Sequence, residues 1–245
     1  MQKAFQMEFC SRSHRGRVKR KNEDTFVVRD DRRMAVIADG IGGRRFGELA
    51  SKLAVDASLE YLCNSESLPD KPLRELANAI KFANEAIIAV QENEEKYRKM
   101  GSTLTCWWLA GRQLHFSWVG DSRIYLLRPT ANSIEMLTRD HTLDRANIDA
   151  KWAPNLYKRA PSILTQHVGS ILLLKPDTGS VELKDGDIVL ACTDGLTNRV
   201  DDALILDYAQ THSVDLQALG DQLLDRALDC GGQDNITLVL ARIGG

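Results

Sequence analysis

Apolar positions along the chain follow two different periods, and the changes of period mark out strands and helices. Residues 25–28 and 34–38 are short apolar runs typical of strands, and a glycine-rich turn follows the second run. Apolar residues then recur every three or four positions over 48–63 and 73–97, which predicts two consecutive helices. The first part of the chain is therefore expected to form strands and then a helix pair.

Beyond residue 101 the pattern returns to strands. Strands are predicted at 103–109, 114–119, 124–127, 133–137, 187–192 and 236–243. Residues 201–211 and 216–230 have helical spacing, whereas 140–161 has weak periodicity and mixed charges and is interpreted as an irregular segment. Helices thus cluster in two pairs between groups of antiparallel strands, which favours an α+β layering over the alternation of a parallel sheet.

Composition and charge exclude several classes of protein. The 245 residues are 43% hydrophobic and 27% charged with a formal net charge of −2, so no global field attracts the chain to nucleic acid or anionic lipid. No apolar run approaches the ~20 residues of a membrane span, and residues 1–10 lack the apolar core of a signal peptide. No linker, repeat or compositional break divides the sequence, which predicts one domain over residues 1–245.

The cysteines argue against a disulfide framework or a zinc ribbon. They are Cys10, Cys63, Cys106, Cys192 and Cys230. Their number is odd and no C-x-x-C pair occurs, and most lie in apolar runs, as expected of small core residues. The cytoplasm is therefore the expected compartment, and a monomer is the expected form of the protein.

Acidic residues recur where predicted strands meet glycine turns. The clusters are Asn22-Glu23-Asp24, Asp39-Gly40, Gly120-Asp121-Ser122-Arg123, Asp194-Gly195 and Asp234-Asn235. Oxygen ligands of this kind suit hard divalent cations such as Mg²⁺ and Mn²⁺, and a glycine after aspartate exposes its backbone carbonyl as a further ligand. Each cluster alone is foremost a turn signal, but their joint occurrence in this order favours a metal site.

With these clusters the chain resembles the PPM-type, metal-dependent protein serine/threonine phosphatases (the phosphatase 2C class), in their compact bacterial form. The resemblance covers about residues 11–243 and lies in six ordered motifs: Asn22-Glu23-Asp24; Ala38-Asp39-Gly40-Ile41-Gly42-Gly43 with Gly47-Glu48 and Ala50-Ser51; Gly101-Ser102-Thr103; Gly120-Asp121-Ser122-Arg123; Thr193-Asp194-Gly195-Leu196; and Asp234-Asn235-Ile236-Thr237. It implies a four-layer α+β sandwich, in which each of two antiparallel β-sheets is flanked by a pair of helices.

The resemblance assigns roles to the carboxylates. Asp39 would bridge two metal ions, Mn²⁺ or Mg²⁺, and the Gly40 carbonyl would bind one of them. Asp194 and Asp234 would hold the first ion. Asp121, together with Asp194, matches a third metal position of the bacterial members.

The implied reaction is hydrolysis of phosphoserine and phosphothreonine in proteins. Glu23 and Asp24 would act mostly through metal-bound waters at the second ion. A water between two cations loses its proton near neutral pH and attacks phosphorus, so no covalent phospho-enzyme and no catalytic cysteine is expected. The residues assigned to catalysis are Asp39, Glu23 and Lys19.

The chain departs from the family pattern where substrate phosphate is bound. Family members usually carry an arginine three residues before the asparagine of the first motif, and here that residue is Lys19. Lysine supplies charge without the planar, two-pronged donor of arginine. Arg17 and Arg20 are the alternative phosphate ligands, and a solvated strand rim is the structural alternative for most of this basic run.

The group that protonates the leaving alkoxide stays open at this stage. Ile41 and Arg44 stand where relatives carry histidines, so the proton has to come from metal-bound water or another group; His141 is a candidate by residue type. Residues 140–161 correspond to the mobile flap of the family, where Trp152 and Tyr157 either contact substrate or attach the flap to the body.

Three functions are compatible with these residues. The first is a protein phosphatase that opposes a Ser/Thr kinase, with phosphorylated proteins as substrates. The second is an inactive relative that binds phosphoproteins, which the presence of Asp39, Asp194 and Asp234 disfavours. The third is a two-metal phosphohydrolase of another substrate class. The full motif set favours the first.

Overall fold

The computed structural model describes residues 6–41, 46–144, 151–160 and 163–244, without the side chains at positions 6, 157 and 159. The strands are β1 (Gln6–His14), β2 (Asp24–Arg29), β3 (Met34–Asp39), β4 (Leu104–Ala110), β5 (Gln113–Val119), β6 (Arg123–Arg128), β7 (Ser133–Met136), β8 (Asp177–Glu182), β9 (Ile188–Cys192) and β10 (Ile236–Gly244). The helices are α1 (Gly47–Asn64), α2 (Pro72–Asn93), α3 (Pro154–Arg159), α4 (Asp194–Thr197), α5 (Asp202–Thr211) and α6 (Leu216–Asp229).

The strands form two five-stranded antiparallel sheets. One has the order β1-β10-β9-β6-β7 and the other the order β2-β3-β4-β5-β8. Sequence neighbours pair as hairpins in β2–β3, β4–β5 and β6–β7, whereas β1 pairs with β10 from the other end of the chain. The expected α+β sandwich is confirmed. No helix in the described ranges combines the length and the apolar character that crossing a membrane requires.

Buried strands have apolar side chains on both faces, because each sheet is covered on both sides. In β3, Val36 packs into the core under α1 and α2, while its neighbour Ile37 packs between the two sheets. In β9, Leu190 contacts the core under α5 and α6, and Val189 faces the opposite sheet. Since successive side chains of a strand alternate between its faces, these runs read as continuously apolar rather than alternating.

The sequence pattern did not predict the strands β8 and β1, for different reasons. β8 is an edge strand whose residues are mostly exposed, so its composition, Asp177–Glu182, lacks a hydrophobic run. In β1, Met7 and Phe9 pack against the core between the sheets, but two apolar positions on either side of Glu8 are too short an alternation to predict a strand. The predicted helix 73–97 ends at Asn93, because Glu94 takes an extended conformation before a short 3₁₀ turn. The segment interpreted as irregular contains α3.

The antiparallel pairing brings the acidic clusters to the same ends of their strands. Asp24 at the start of β2 lies opposite Asp39 at the end of β3. In the other sheet, Cys192 at the end of β9 pairs with Arg123 at the start of β6 and with Leu238 near the start of β10. The clusters that precede or follow these positions are therefore neighbours in space although they are far apart in the chain.

Candidate active site

Asp39 is surrounded by other carboxylates. It stands at the end of β3 and is mostly buried. Burial, followed by the negative charges of Asp24 and Asp194, raises the pKa of Asp39 well above its usual range, and Asp121 and Asp234 add to the effect. Burial and the charge of Asp234 likewise raise the pKa of Asp194, whose carboxyl group is also a hydrogen-bond partner of Asp39. Such a concentration of negative charge calls for a cation.

The segment before β4 holds the backbone of Asp39 in place. Its N–H donates to Thr103 Oγ1 over 2.8 Å, and its carbonyl accepts from Ser102 Oγ over 2.8 Å and from the Thr103 N–H over 2.9 Å. The Thr103 hydroxyl is also hydrogen-bonded to Ser122 Oγ over 2.7 Å, beside Asp121. The Gly101-Ser102-Thr103 motif thus positions the strand end that carries Asp39.

Asp24 is a buried carboxylate with one oxygen held and one free. Its Oδ2 accepts hydrogen bonds from Thr193 Oγ1 over 3.0 Å and Thr237 Oγ1 over 2.6 Å. Its Oδ1 is buried and has no hydrogen-bond partner among the described residues, and the same is true of Asp194 Oδ1. Buried polar atoms without partners are costly, so these two oxygens are suited to bind a ligand that the protein itself does not supply.

Asn235 fastens the loop before β2 to the segment before β10. Its amide nitrogen donates to the carbonyls of Arg15 over 2.9 Å and Lys21 over 2.8 Å, and its amide oxygen accepts from the Glu23 N–H over 2.8 Å. The Asn235 backbone N–H donates to Asp234 Oδ1 over 2.8 Å. One buried side chain therefore places Glu23 beside Asp234.

Glycines allow the close approach of backbone segments around the carboxylates. The Gly40 N–H donates to the Glu23 carbonyl over 3.0 Å, and a Cβ at Gly40 would lie 2.3 Å from the carbonyl oxygen of Gly47. A Cβ at Gly195 would lie 1.9 Å from the carbonyl oxygen of Asn235. Any side chain at these two positions would push the acidic segments apart.

Lys19 is a basic residue that the structure brings to the carboxylates. Its Nζ lies 2.7 Å from Asp234 Oδ1. Burial would lower the pKa of Lys19, but its hydrogen bond to Asp234 and the charges of Asp234, Asp39 and Glu23 outweigh burial and raise it. Burial raises the pKa of Glu23, although the positive charge of Lys19 opposes this shift.

The other predicted phosphate ligands have different positions. Arg17 forms an exposed ion pair with Asp229, with 3.0 Å between Nη2 and Oδ1, and the side chain of Arg20 is exposed. Neither is placed at the carboxylates by a described contact, so their role as phosphate ligands stays a prediction. Asp121, the residue predicted for a third metal ion, lies near the site carboxylate Asp194. Burial and then the charges of Asp194 and Asp140 raise its pKa to about 7.

His141 has a structural role, which disfavours it as a general acid. Its Nδ1 accepts from the Gly120 N–H over 3.2 Å, and its Nε2 lies 3.2 Å from Asp177 Oδ2. Its ring also stacks on Trp118 with 6.0 Å between ring centroids. With both nitrogens engaged and the ring buried, His141 joins β8 to the turn before Asp121.

Some predicted features are only partly covered by the structure. Ile41 is described, and its N–H donates to the Gly101 carbonyl over 3.0 Å. Arg44, with Gly42 and Gly43, lies outside the described residues. In the expected flap, Trp152 is 81% exposed and so is not packed into the body, whereas the side chain of Tyr157 and residues 145–150 and 161–162 lie outside the described part.

The donor set fits divalent cations that prefer oxygen. Within residues 6–41, 46–144, 151–160 and 163–244, no three histidine, cysteine or acidic side chains form a ready-made group that could hold a metal. Mg²⁺ and Mn²⁺ do not need such a cage, because they keep several waters and bind through one or two carboxylates. The unpartnered oxygens of Asp24 and Asp194 and the raised pKa of Asp39 are what such an ion would relieve.

Sequence reasoning missed the residues that hold the carboxylates. Thr193, Thr237 and Asn235 belong to motifs that it singled out, but only the acidic member of each motif signalled a function. Asn198 donates to Asp194 Oδ2 over 3.0 Å. The sequence contained a signal for this contact, because residues four positions apart lie on the same face of a helix.

Known proteins match nearly the whole chain. A family described as protein phosphatase 2C matches residues 10–231. The serine/threonine protein phosphatase PstP of Mycobacterium tuberculosis is 34% identical over 245 residues, covering 97% of this chain and 45% of that protein. The protein phosphatase PhpP of Streptococcus pneumoniae is 32% identical over 241 residues, covering 96% of each. The chain thus spans less than half the length of the mycobacterial relative.

A solved structure with metal ions has the same fold. The crystal structure of the PstP catalytic domain in complex with two manganese ions matches with a TM-score of 0.81 at 31% identity. The match covers 98% of this chain and 99% of that chain.

Proposed function

The chain belongs to the protein phosphatase 2C family of serine/threonine protein phosphatases, a metal-dependent family, and from this membership we propose that it hydrolyses phosphoserine and phosphothreonine in proteins. The observation that carries the proposal is the convergence of Asp24, Asp39 and Asp194 at adjoining strand ends, with two buried carboxylate oxygens lacking a partner among the described residues. Phosphoryl transfer to water needs concentrated positive charge, and this site is built to collect it.

We propose that this site binds two Mn²⁺ or Mg²⁺ ions, and that Asp121 provides for a third. Residues that would hold them are Asp39, Asp194, Asp234, the Gly40 carbonyl, Asp24 with Glu23, and Asp121. When bound, such ions lower the pKa of water to make a nucleophile and neutralise phosphoryl oxygens. The manganese complex of the PstP catalytic domain supports this assignment.

The residues of the chain itself contribute rigidity and charge. Thr193 and Thr237 hold one oxygen of Asp24, so the other keeps a constant direction. Ser102 and Thr103 fix the backbone of Asp39 from both sides. A site held in this way loses little energy to rearrangement during the reaction, which is the basis of electrostatic preorganisation. Lys19 supplies an ammonium group for the substrate phosphate.

The substrates we propose are phosphorylated proteins that a cognate Ser/Thr kinase modifies. The formal net charge of −2 gives no reason to expect nucleic acid as a partner. We also propose that the protein acts in the cytoplasm, since its five described cysteines are all unpaired, and that it acts there as a monomer.

Dephosphorylation of a phosphothreonine peptide tests the proposal. Wild-type protein should release phosphate with Mn²⁺ and stop in excess chelator, and Asp39→Asn should lose several orders of magnitude in turnover. Asp56→Asn is the matched control, because Asp56 is an exposed partner of Lys52 on α1 and the same change there removes no site carboxylate. Full activity in chelator, or normal turnover of Asp39→Asn, would contradict the proposal.

A further inference from the structure

The ammonium of Lys19 contacts one of the carboxylates of the site. Its ammonium contacts Asp234 at 2.7 Å, and the two side chains are 34% and 41% exposed. Asp234 is one of the carboxylates that the proposed function assigns to the first metal ion. The ammonium of Lys19 and the first metal ion therefore share Asp234 as their partner.

The backbone that carries Lys19 belongs to a fastened loop. The guanidinium of Arg15 donates to the Lys19 carbonyl over 3.0 Å. Asn235 holds the carbonyls of Arg15 and Lys21 on either side, and its own N–H donates to the Asp234 oxygen that Lys19 contacts. The backbone on both sides of the ion pair is thus joined through one buried asparagine.

The neighbouring cations do not share this position. Lys21 pairs with Glu48 on α1 at 2.7 Å, and both side chains are more than half exposed. Arg17 pairs with Asp229. Among the ion pairs of the described residues, the Lys19 pair is the one that engages a carboxylate assigned to a metal.

We propose that Lys19 is the counter-ion of Asp234 when no divalent cation is bound, and that it competes with the cation for this carboxylate. This inference rests on the metal site of the proposed function. An ion bound at Asp234 competes with the ammonium for the carboxylate, and a positive charge left nearby also repels the ion. The displaced ammonium then becomes available to a phosphate group, so metal binding and phosphate binding are linked through one side chain.

The position distinguishes lysine from arginine. Lysine is a compact point charge on a flexible stem and exchanges one partner for another at small cost, whereas a guanidinium grips a carboxylate with two donors. Lys19 therefore sets the metal affinity lower than an apolar residue would, and it leaves the carboxylate more readily than an arginine would.

Calorimetric titration of Mn²⁺ into chelator-treated protein tests the competition without any measurement of activity. Lys19→Met keeps the length of the stem and removes the charge, and it should bind the tightest Mn²⁺ about tenfold more strongly than wild type. Lys21→Met is the matched control, because it removes the same charge two residues away. Lys21 pairs with Glu48, which is not one of the carboxylates assigned to the metal ions, so the Mn²⁺ affinity of this variant should stay within about twofold of wild type. Lys19→Arg, which keeps the charge, should bind no more strongly than wild type.

Each outcome of the titration decides the question. Stronger binding by Lys19→Met alone supports the counter-ion role, and circular dichroism of each variant verifies that the fold is kept. Equal affinities of wild type and Lys19→Met overturn the counter-ion role while leaving the metal site standing. Equal gains in Lys19→Met and Lys21→Met show a general charge effect and also overturn it. Absence of Mn²⁺ binding in wild type and all variants overturns the metal site and this inference together.

Discussion

Asp24 and Asp39 face each other in register across β2 and β3, so that two carboxylates project from directly opposed positions of one antiparallel pair. The Cβ atoms of such a pair are about 4.5–5.5 Å apart. Like charges at this distance oppose folding, and burial adds to the cost. A bound cation relieves this repulsion, which makes the pair a mark of function rather than of stability.

Asp39→Asn should therefore stabilise the protein in chelator while removing its activity. The amide keeps the shape of the side chain, removes one charge from the cluster and still allows a hydrogen bond to Asp194. We expect the free energy of unfolding in chelator to rise by about 1–3 kcal/mol, as measured by urea denaturation. Asp56→Asn on the exposed face of α1 is the control and should change it little. A destabilised Asp39→Asn protein would contradict this account of the site.

Asn235→Ala should loosen the loop that carries Lys19 and Glu23. The substitution removes three hydrogen bonds and leaves one N–H and two carbonyl groups of the backbone without their partner. We expect a loss of about 2–4 kcal/mol in the free energy of unfolding and weaker Mn²⁺ binding. Asn93→Ala, which removes one exposed bond to the carbonyl of Ala89, is the control. Unchanged stability of Asn235→Ala would show that the loop is held by other contacts.

Gly195→Ala tests the close approach of the turn after β9 to the segment before β10. Its Cβ would lie 1.9 Å from the Asn235 carbonyl oxygen, so the backbone has to move. Gly111→Ala is a useful comparison, because Gly111 has a positive φ of 59° but nothing within 4 Å of its Cβ. Chemical denaturation should show a cost of about 1–2 kcal/mol at Gly111 and a larger cost at Gly195. A cost at Gly195 no larger than that at Gly111 would contradict the close approach of the two segments, because Gly195 is helical and has no positive φ.

Thiol labelling of the native protein should separate the cysteines into two groups. Cys10, Cys106 and Cys192 are buried, whereas Cys63 and Cys230 are partly exposed. Burial raises the pKa of Cys106 to about 12, so both access and thiolate are lacking there near neutral pH. Mass spectrometry after brief alkylation at pH 8 should find label on Cys63 and Cys230 only. Rapid labelling of Cys106 would contradict the described core.

The site residues that could be predicted from the sequence are those with a recognisable pattern in the residues next to them. Asp39 and Asp194 follow apolar strands, and each is followed by glycine, so their position at strand ends could be inferred from neighbours in the chain. The partners of Asp24 could not, because Thr193 and Thr237 lie 169 and 213 residues away in sequence. Only the packing of the two sheets brings these hydroxyl groups to the carboxylate.

The same limit applies to the fold. The buried strands β3 and β9 were predicted because both of their faces are apolar, which leaves a run that composition alone reveals. β8 was not, because an edge strand gains its stability from backbone pairing with β5 and needs few apolar side chains. The contact between Lys19 and Asp234 is the extreme case, since its two residues come from opposite ends of the chain.

The kinetic role of Lys19 can be separated from its effect on metal binding. If its ammonium binds substrate phosphate, Lys19→Ala should raise KM more than it lowers kcat when Mn²⁺ is saturating. A charge-assisted contact is worth roughly 1.5–3 kcal/mol, which corresponds to about a tenfold to hundredfold rise in KM. Lys19→Arg should keep KM at the wild-type value or lower it, because a guanidinium engages two phosphoryl oxygens.

Steady-state kinetics on one phosphothreonine peptide at saturating Mn²⁺ decides between this role and that of a solvated charge. Arg17→Ala and Arg20→Ala are the matched comparisons, because Arg17 pairs with Asp229 and Arg20 is exposed, and both should leave KM nearly unchanged. A rise in KM in either arginine variant, together with a normal KM in Lys19→Ala, would place the phosphate ligand elsewhere along the loop. Lys19 would then act on the metal alone, and its ion pair with Asp234 would be its whole contribution to the site.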